Sequence, residues 1–111
     1  MSVYGHFNAQ YHGNKIKFPE DSFLIAGISN YQEHLKNINF DNILILQLEP
    51  TNIYDPTAIE IIYNNNRIGY VPNKEPYKTL CLENIDYKLK IINIKKEPDN
   101  NNFGIRVILD K

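Results

Sequence analysis

A polar loop bounded by two prolines holds the residues of this chain that are best suited to chemistry. It runs from Pro50 to Pro56 and contains Asn52, Tyr54 and Asp55. A tyrosine on a loop stiffened by proline is a good platform for a nucleic-acid base, because little entropy is lost when the base stacks on the ring. An ionised aspartate only accepts hydrogen bonds, whereas an asparagine both donates and accepts them. These residue types therefore favour ligand recognition.

The same loop also has a purely structural interpretation. Asn52 and Asp55 are typical of Asx turns, in which the side chain accepts hydrogen bonds from the backbone that follows it. Tyr54 would then pack on the core. The residues of the loop do not by themselves decide between the two interpretations.

Histidine and cysteine chemistry is not indicated by the spacing of these residues. His6, His12 and His34 share no ligand spacing with Cys81, and the chain has no HxxH or CxxC pair. Cys81 lies in the apolar segment KTLCLEN, which is typical of a structural thiol. We therefore predict no metal site, no cofactor and no catalytic residue.

Three carboxylates offer a distant catalytic alternative. Glu49, Asp55 and Glu60 lie around one loop and could hold a divalent ion for phosphodiester cleavage. Glu49 and Asp55, however, stand at opposite ends of the loop, with no Lys or His among the three to assist. A small metal-dependent nuclease is therefore the least favoured function.

Short strands and turns must position the loop. The run ILILQL over 43–48 is almost unbroken and apolar, which is typical of a central strand or one buried on both faces. Asn30 with Glu33 predicts the start of one helix, and Asn73 predicts the start of another. The pattern predicts strands over 23–28, 43–48, 58–63, 67–71, 86–94 and 103–109, helices over 31–38 and 73–82, and turns over 64–66 and 99–102.

The order of these elements is β-α-β-β-β-α-β-β. Strands this short, joined mostly by turns, do not form a parallel βαβ sheet, whereas a closed antiparallel barrel removes exposed sheet edges. We predict an all-β fold with two short helices: a small six-stranded antiparallel barrel or a strongly curled sheet over 21–111, preceded by an N-terminal arm over 1–20.

Composition limits the setting of the protein. The 111 residues are enough for one domain, and 42% of them are hydrophobic. No apolar run approaches the ~20 residues needed to cross a bilayer, and the first residues do not resemble a signal peptide. The lone Cys81 indicates a reducing compartment, so we expect an intracellular location, in the cytoplasm or nucleus of the host cell. The 17 Ile and 16 Asn residues suit a low-GC microbe or a large virus.

Three sequence blocks at suitable spacing carry a family resemblance. They are AGI at 26–28, EPTNIYDPTAI at 49–59 and IGYVP at 68–72. Together they make the segment 25–72, about half of the chain, resemble a HIRAN domain. This resemblance implies a modified OB-like barrel of six strands and two helices.

The resemblance to HIRAN also implies a function: binding of single-stranded DNA at a free 3′-OH end. Tyr54 would stack on the terminal base, Asp55 would meet the 3′ hydroxyl, and Asn52 would support them. The implied setting is DNA repair or replication-fork processing, with a separate helicase or nuclease as a further partner and no membrane. A net charge of −1 argues against strong non-specific attraction to duplex DNA.

Three further residues complete the groove implied by the resemblance, but the sequence also departs from the family pattern near them. Tyr70 would flank the DNA backbone, Tyr31 would offer a second aromatic face, and Lys74 stands beside the position where a basic residue often follows the GYVP-type turn. End-binding members carry an Arg and two adjacent aromatics where this chain reads SNYQ at 29–32, and Ile53 replaces the usual Pro. Fewer cations predict weaker phosphate contact. A non-catalytic protein-interaction or scaffolding barrel is therefore the main alternative.

Overall fold

Six antiparallel strands form one sheet in the order β1-β6-β5-β2-β3-β4. The structure, a computed structural model, describes residues 17–111, so most of the predicted arm, with His6 and His12, lies outside the described residues. The elements are β1 (Phe23–Leu24), a 3-10 helix (Ile28–His34), β2 (Ile43–Leu48), β3 (Ile59–Tyr63), β4 (Asn66–Tyr70), α1 (Tyr77–Glu83), β5 (Lys88–Lys96) and β6 (Phe103–Asp110). This order confirms the predicted all-β fold with six strands and two short helices.

The sheet curls until its two ends meet at a single bridge. Ala26 and Tyr70 exchange two backbone hydrogen bonds, of 2.8 and 2.9 Å. Gly69 allows this approach, because a Cβ atom added there would lie 2.6 Å from the carbonyl oxygen of Ala26 and would also collide with Ile25. The bridge joins the two edge strands, β1 and β4, and so protects edges that would otherwise be free to pair.

Alternation along the strands fills the interior. Leu89 and Ile91 of β5 are buried, while Lys88 and Lys90 between them are exposed, as their spacing predicts. The core consists of Phe23, Ile25, Leu35, Leu44, Leu46, Ile59, Ile61, Ile68, Val71, Cys81, Leu89, Ile91, Ile105 and Val107.

Strand β2 has the predicted bounds and the predicted central place, but it is not buried on both faces. Leu44 and Leu46 face the core, whereas Ile43 and Ile45 are 52% and 49% exposed. The reason is that the sheet curls around one core, and among residues 17–111 no other element covers the outer side of Ile43 and Ile45.

The first strand and first helix are shorter than predicted. Beyond Ile25, whose backbone N–H still donates to the Ile105 carbonyl at 3.0 Å, the chain leaves β6 for the bridge with β4, and Gly27 then takes a left-handed conformation with φ of 70°. A 3-10 helix follows in place of the predicted α-helix, and Asn30 does not cap it. Gln32 anchors this segment instead, because its side chain accepts a hydrogen bond from the backbone N–H of Phe103 and donates one to its carbonyl.

The second helix also starts later than predicted. It begins after Pro76 rather than at Asn73, and the N-cap residue Pro76 makes no side-chain hydrogen bond. The Glu75 carboxylate, which precedes the helix, instead accepts hydrogen bonds from the backbone N–H and the hydroxyl of Thr79 in the first turn.

Both asparagine turns are confirmed. Asn64 and Asn65 have φ values of 52° and 66° between β3 and β4, and Asn101 has a φ of 59° between β5 and β6. Asparagine accepts this left-handed conformation more readily than most residues. No helix within residues 17–111 has the length and apolar character needed to cross a bilayer.

Candidate nucleic-acid interface

Asn52 organises the loop between β2 and β3. Its side-chain oxygen accepts hydrogen bonds from the backbone N–H groups of Tyr54 and Asp55, each at 2.9 Å, and its amide nitrogen donates to Glu49 at 2.6 Å. This is the Asx turn that the residue type predicts. The loop is therefore held at its start by a residue whose side chain uses both of its polar atoms.

Asp55 fastens the other half of the loop to helix α1. One carboxylate oxygen accepts hydrogen bonds from the backbone N–H and the hydroxyl of Thr57, and the other accepts one from the Lys78 ammonium at 2.6 Å. The hydrogen bond from Lys78, helped by those from Thr57, lowers the pKa of Asp55 to about 2. Lys78 itself is only 6% exposed, so the loop is tied to a buried cation.

Tyr54 lies at the tip of this tethered loop with its side chain in solvent. It is 91% exposed, and its neighbour Ile53 is 85% exposed. The structural interpretation of the loop is thus right for Asn52 and Asp55, which form the expected turns, and wrong for Tyr54, which does not pack on the core.

A second polar cluster lies where β2, β3 and β4 meet the 3-10 helix. Arg67 of β4 donates from Nε to the Tyr31 hydroxyl at 2.9 Å and from Nη1 to the Glu49 carboxylate. Its guanidinium carbon lies 5.6 Å from the centre of the Tyr31 ring and 5.3 Å from that of Tyr70. The Tyr70 hydroxyl completes the cluster by donating to Glu49 at 3.0 Å.

Burial and pairing shift the pKa values of this cluster in opposite directions. The hydrogen bond from Asn52 lowers the pKa of Glu49 more than its partial burial raises it. Burial, followed by the nearby charge of Glu49, raises the pKa of Glu60, whose carboxylate lies 3.6 Å from Arg67. The Arg67 guanidinium thus forms ion pairs with the carboxylates of both Glu49 and Glu60. The cluster presents ordered rings and acceptors rather than a positive charge free to meet a phosphate.

The structure brings together some of the residues that the sequence singles out. Tyr31, Tyr70 and Asn52 join one network through Glu49 and Arg67. Tyr54 stands apart from that network at the loop tip, and Asp55 faces Lys78 instead. Lys74 is exposed just before α1 and forms no ion pair within the described part of the chain.

Two cations of the site are absent from the sequence prediction. Arg67 of β4 lies next to Tyr31, although the sequence has no arginine near the 3-10 helix itself. The pairing of Ile62 with Arg67 across β3 and β4 could not be read from the sequence, because a bulge shifts that register. Lys78 left a clearer signal, since it lies three residues before the apolar Cys81 on a short helix, and residues at this spacing share one helix face.

The carboxylates do not converge on a metal site. Among residues 17–111, no three side chains of the His, Cys, Asp or Glu type come together as ligands. Glu49 and Glu60 both contact Arg67, and Asp55 contacts Lys78. Cys81 is buried, and burial raises the pKa of its thiol to about 11, as expected of a structural cysteine.

Comparisons with known proteins show the fold and no more. No family model matches the sequence, and no curated protein matches it. The structure is similar to the crystal structure of a protein from Lactobacillus plantarum, a Northeast Structural Genomics Consortium target. The two chains are 20% identical with a TM-score of 0.51, and the match covers 82% of this chain and 93% of that chain.

Proposed function

We propose that this protein is a non-catalytic module that binds single-stranded DNA and recognises free 3′-OH ends. The observation that carries the proposal is Tyr54: a ring 91% exposed at the tip of a loop fixed by Asn52 and Asp55. The resemblance of 25–72 to a HIRAN domain supports the same function. An intracellular role in DNA repair or fork processing, beside a separate helicase or nuclease, belongs to this proposal.

Base stacking on Tyr54 is favourable because the loop is ordered before DNA arrives. Ordering a flexible loop on binding would cost about 1–2 kcal/mol per residue in backbone entropy. Here Asn52 and Asp55 have already fixed the backbone on either side of the ring. The terminal base then gains the stacking energy at little cost, and any base can be accepted because each has a π-face.

Asp55 can meet a 3′ hydroxyl although Lys78 already holds it. Each carboxylate oxygen has two acceptor positions, so the ammonium and the hydroxyl can share the oxygen that faces α1. Because Lys78 offsets the charge of Asp55, a 3′-phosphate meets less repulsion than it would from a free carboxylate. Because Lys78 already shares that oxygen, we expect a preference for 3′-OH over 3′-phosphate ends of about two- to tenfold, the net value of one ordinary hydrogen bond of about 0.5–1.5 kcal/mol.

Phosphate contact falls to Lys74 in this arrangement. Arg67 is occupied by Glu49 and Glu60, while Tyr31 and Tyr70 offer rings that flank the strand. A single phosphate contact gives a salt dependence of about −0.7 in the slope of log K against log salt for single strands. The proposed binding is thus weakly salt-dependent, and stacking dominates it.

The test is a fluorescence-anisotropy titration with short single strands that carry 3′-OH, 3′-phosphate or 5′-phosphate ends. The native chain should favour 3′-OH over 3′-phosphate, and the 5′-phosphate should have no effect. Tyr54→Ala should weaken binding by about 1–3 kcal/mol, the usual value of a base–aromatic stack. Tyr87→Ala is the matched control, because Tyr87 is also exposed, at 45%, but lies just before β5. Equal affinity for the 3′-OH and 3′-phosphate strands would rule out end recognition.

Ile53 favours a second candidate function, a protein-interaction barrel. An aliphatic side chain that is 85% exposed offers no face for a base to stack on, but beside Tyr54 it forms an apolar tip suited to a protein surface. The two functions differ in one measurement. Ile53→Ser should leave DNA affinity unchanged if the tip binds DNA through Tyr54. The absence of DNA binding at both low and moderate salt would favour the protein-interaction barrel.

A further inference from the structure

The outer face of the sheet carries an aliphatic patch that the proposed DNA site does not use. Two rows of paired residues cross it, and the second row ends at Asp110 on one side and at Arg67 on the other. The rows consist of Ile108, Lys90 and Ile43, and of Lys88, Ile45 and Ile62. We refer to these six residues as the aliphatic–lysine face. Ile43 and Ile45 at its centre are half exposed, although their neighbours Leu44 and Leu46 are buried.

The backbone beneath this face offers nothing to a partner. Strand β2 is paired with β5 on one side and β3 on the other. Addition of a partner strand needs a free sheet edge, so it is excluded at this position. Recognition here must use side chains that stand up from the sheet.

Two lysines give the face its charge. Lys88 and Lys90 are exposed and lie on the same face of β5, beside the isoleucines of β2. Within residues 17–111 neither forms an ion pair, and Asp110, opposite Lys88 in the register, is not within 4.0 Å of it. The face therefore combines an aliphatic centre with cations that have no counter-ion in the described part of the chain.

These properties indicate what kind of molecule fits the aliphatic–lysine face. Bases stack on aromatic rings, and the six residues include none, so nucleic acid is a poor fit. Ile43 and Ile45 are two residues apart, which places their side chains about 7 Å from each other along the strand. Apolar residues four apart on a helix are separated by about 6 Å along its axis, a comparable spacing.

We propose that the aliphatic–lysine face binds an amphipathic helix of a partner protein whose apolar stripe is bordered by Asp and Glu. The stripe covers Ile43, Ile45 and Ile62. The acidic border meets Lys88 and Lys90, whose stems also cover apolar surface. This surface is distinct from the Tyr54 loop and does not depend on DNA binding.

The test uses the full chain and two synthetic helical peptides, followed by fluorescence anisotropy. Both peptides carry leucine at i, i+4 and i+7; one has glutamate on both flanks, and the matched control has lysine there. The native chain should bind the glutamate peptide at least about tenfold more tightly than the lysine peptide, since two ion pairs are exchanged for two repulsions.

Charge reversal gives the sharper readout. The double variant K88E/K90E should lose that preference and bind the lysine peptide instead. The variant K36E/K95E changes the net charge equally at two exposed lysines outside the face and should keep the native preference. Ile45→Thr keeps a β-branched residue at an exposed position, so the fold should persist while binding of the glutamate peptide weakens several-fold.

Three outcomes would overturn the proposal. Failure of the native chain to bind the glutamate peptide, or equal binding of both peptides, would exclude an acidic helix. Light scattering that shows a dimer dissociated by K88E/K90E would assign the face to a second copy of this chain. If single-stranded DNA competes with the peptide, and K88E/K90E loses binding of both, the aliphatic–lysine face would be assigned to nucleic acid.

Discussion

The β2–β3 loop and the β5–β6 turn are built from the same residue types but are held in different ways. Each contains proline, aspartate and asparagine, and each uses an asparagine side chain to accept a backbone hydrogen bond. In the β5–β6 turn the hydrogen bonds stay within residues 97–102. In the β2–β3 loop they extend through Glu49 to Arg67 and through Asp55 to Lys78.

This difference shows what a loop needs in order to hold an exposed side chain in a fixed position. A turn closed by its own hydrogen bonds sets the direction of the chain and leaves its tip free to move. A loop tied to a neighbouring strand and to a helix also fixes where its tip points. Only the second arrangement can hold an exposed ring such as Tyr54 in one place without burying it.

The largest expected effect is a difference in stability between substitutions of two strand glycines, Gly69 in β4 and Gly104 in β6. Gly69→Ala should lower the free energy of unfolding by about 1–3 kcal/mol, because the new Cβ meets Ile25 and the Ala26 carbonyl at the bridge. Gly104→Ala, next to the β5–β6 turn, should change it by less than about 0.5 kcal/mol, since the nearest atom is 3.9 Å away. Urea denaturation measures both. Equal losses would mean that the bridge does not stabilise the barrel.

The next effect compares the two asparagines that accept backbone hydrogen bonds. Asn52→Ala removes three hydrogen bonds in the loop and should cost about 1.5 kcal/mol of stability, since each is exposed or only partly buried and contributes about 0.5 kcal/mol, the low end of the usual range. It should also weaken single-stranded DNA binding, because Tyr54 loses its fixed position. Asn100→Ala removes one exposed hydrogen bond and should cost under about 0.5 kcal/mol with DNA affinity unchanged. A loss of stability without a loss of DNA affinity would show that the tether does not serve binding.

Much of the fold could be predicted from local chemistry. The bounds of β2, the two asparagine turns and the alternation of Leu89 and Ile91 with lysines follow from period and turn propensity. Helix starts were predicted less well. Asn30 and Asn73 are residue types that favour helix N-caps, but neither caps a helix here. The Gln32 side chain instead accepts a hydrogen bond from Phe103, and the Glu75 carboxylate accepts one from Thr79.

The candidate site could be predicted only in part, because its tethers depend on long-range contacts. Asn52, Tyr54 and Asp55 are neighbours in sequence, and their turn chemistry follows from residue type. The contacts from Arg67 and Lys78 span 18 and 23 residues from their carboxylate partners. Sequence pattern alone gives no register for such pairs, and the bulge in β3–β4 removes the one regular register that could have helped.

The smallest change in stability is expected for Lys78→Met, which removes the tether that has no counterpart in the β5–β6 turn. Methionine keeps most of the apolar volume of the buried lysine stem, and Asp55 can be hydrated because its side chain is 29% exposed. We therefore expect the free energy of unfolding near neutral pH to change by less than about 1 kcal/mol. The difference should instead appear in acid. Since folding lowers the pKa of Asp55 from 3.8 to about 2, the native chain carries a stabilising contribution above about pH 4 that is lost as the pH falls toward 2.

In Lys78→Met, NMR titration of the Asp55 carboxyl should place its pKa closer to 3.8, although the hydrogen bonds from Thr57 persist. Urea denaturation at about pH 5 and about pH 2.5 should then show a smaller acid-induced loss of stability for the variant than for the native chain. Asp99→Asn, in the turn without a tether, serves as the control and should leave the acid response of the native chain in place. An unchanged Asp55 titration in Lys78→Met would mean that the loop is held without Lys78, and the contrast between the two connections would then rest on Asn52 alone.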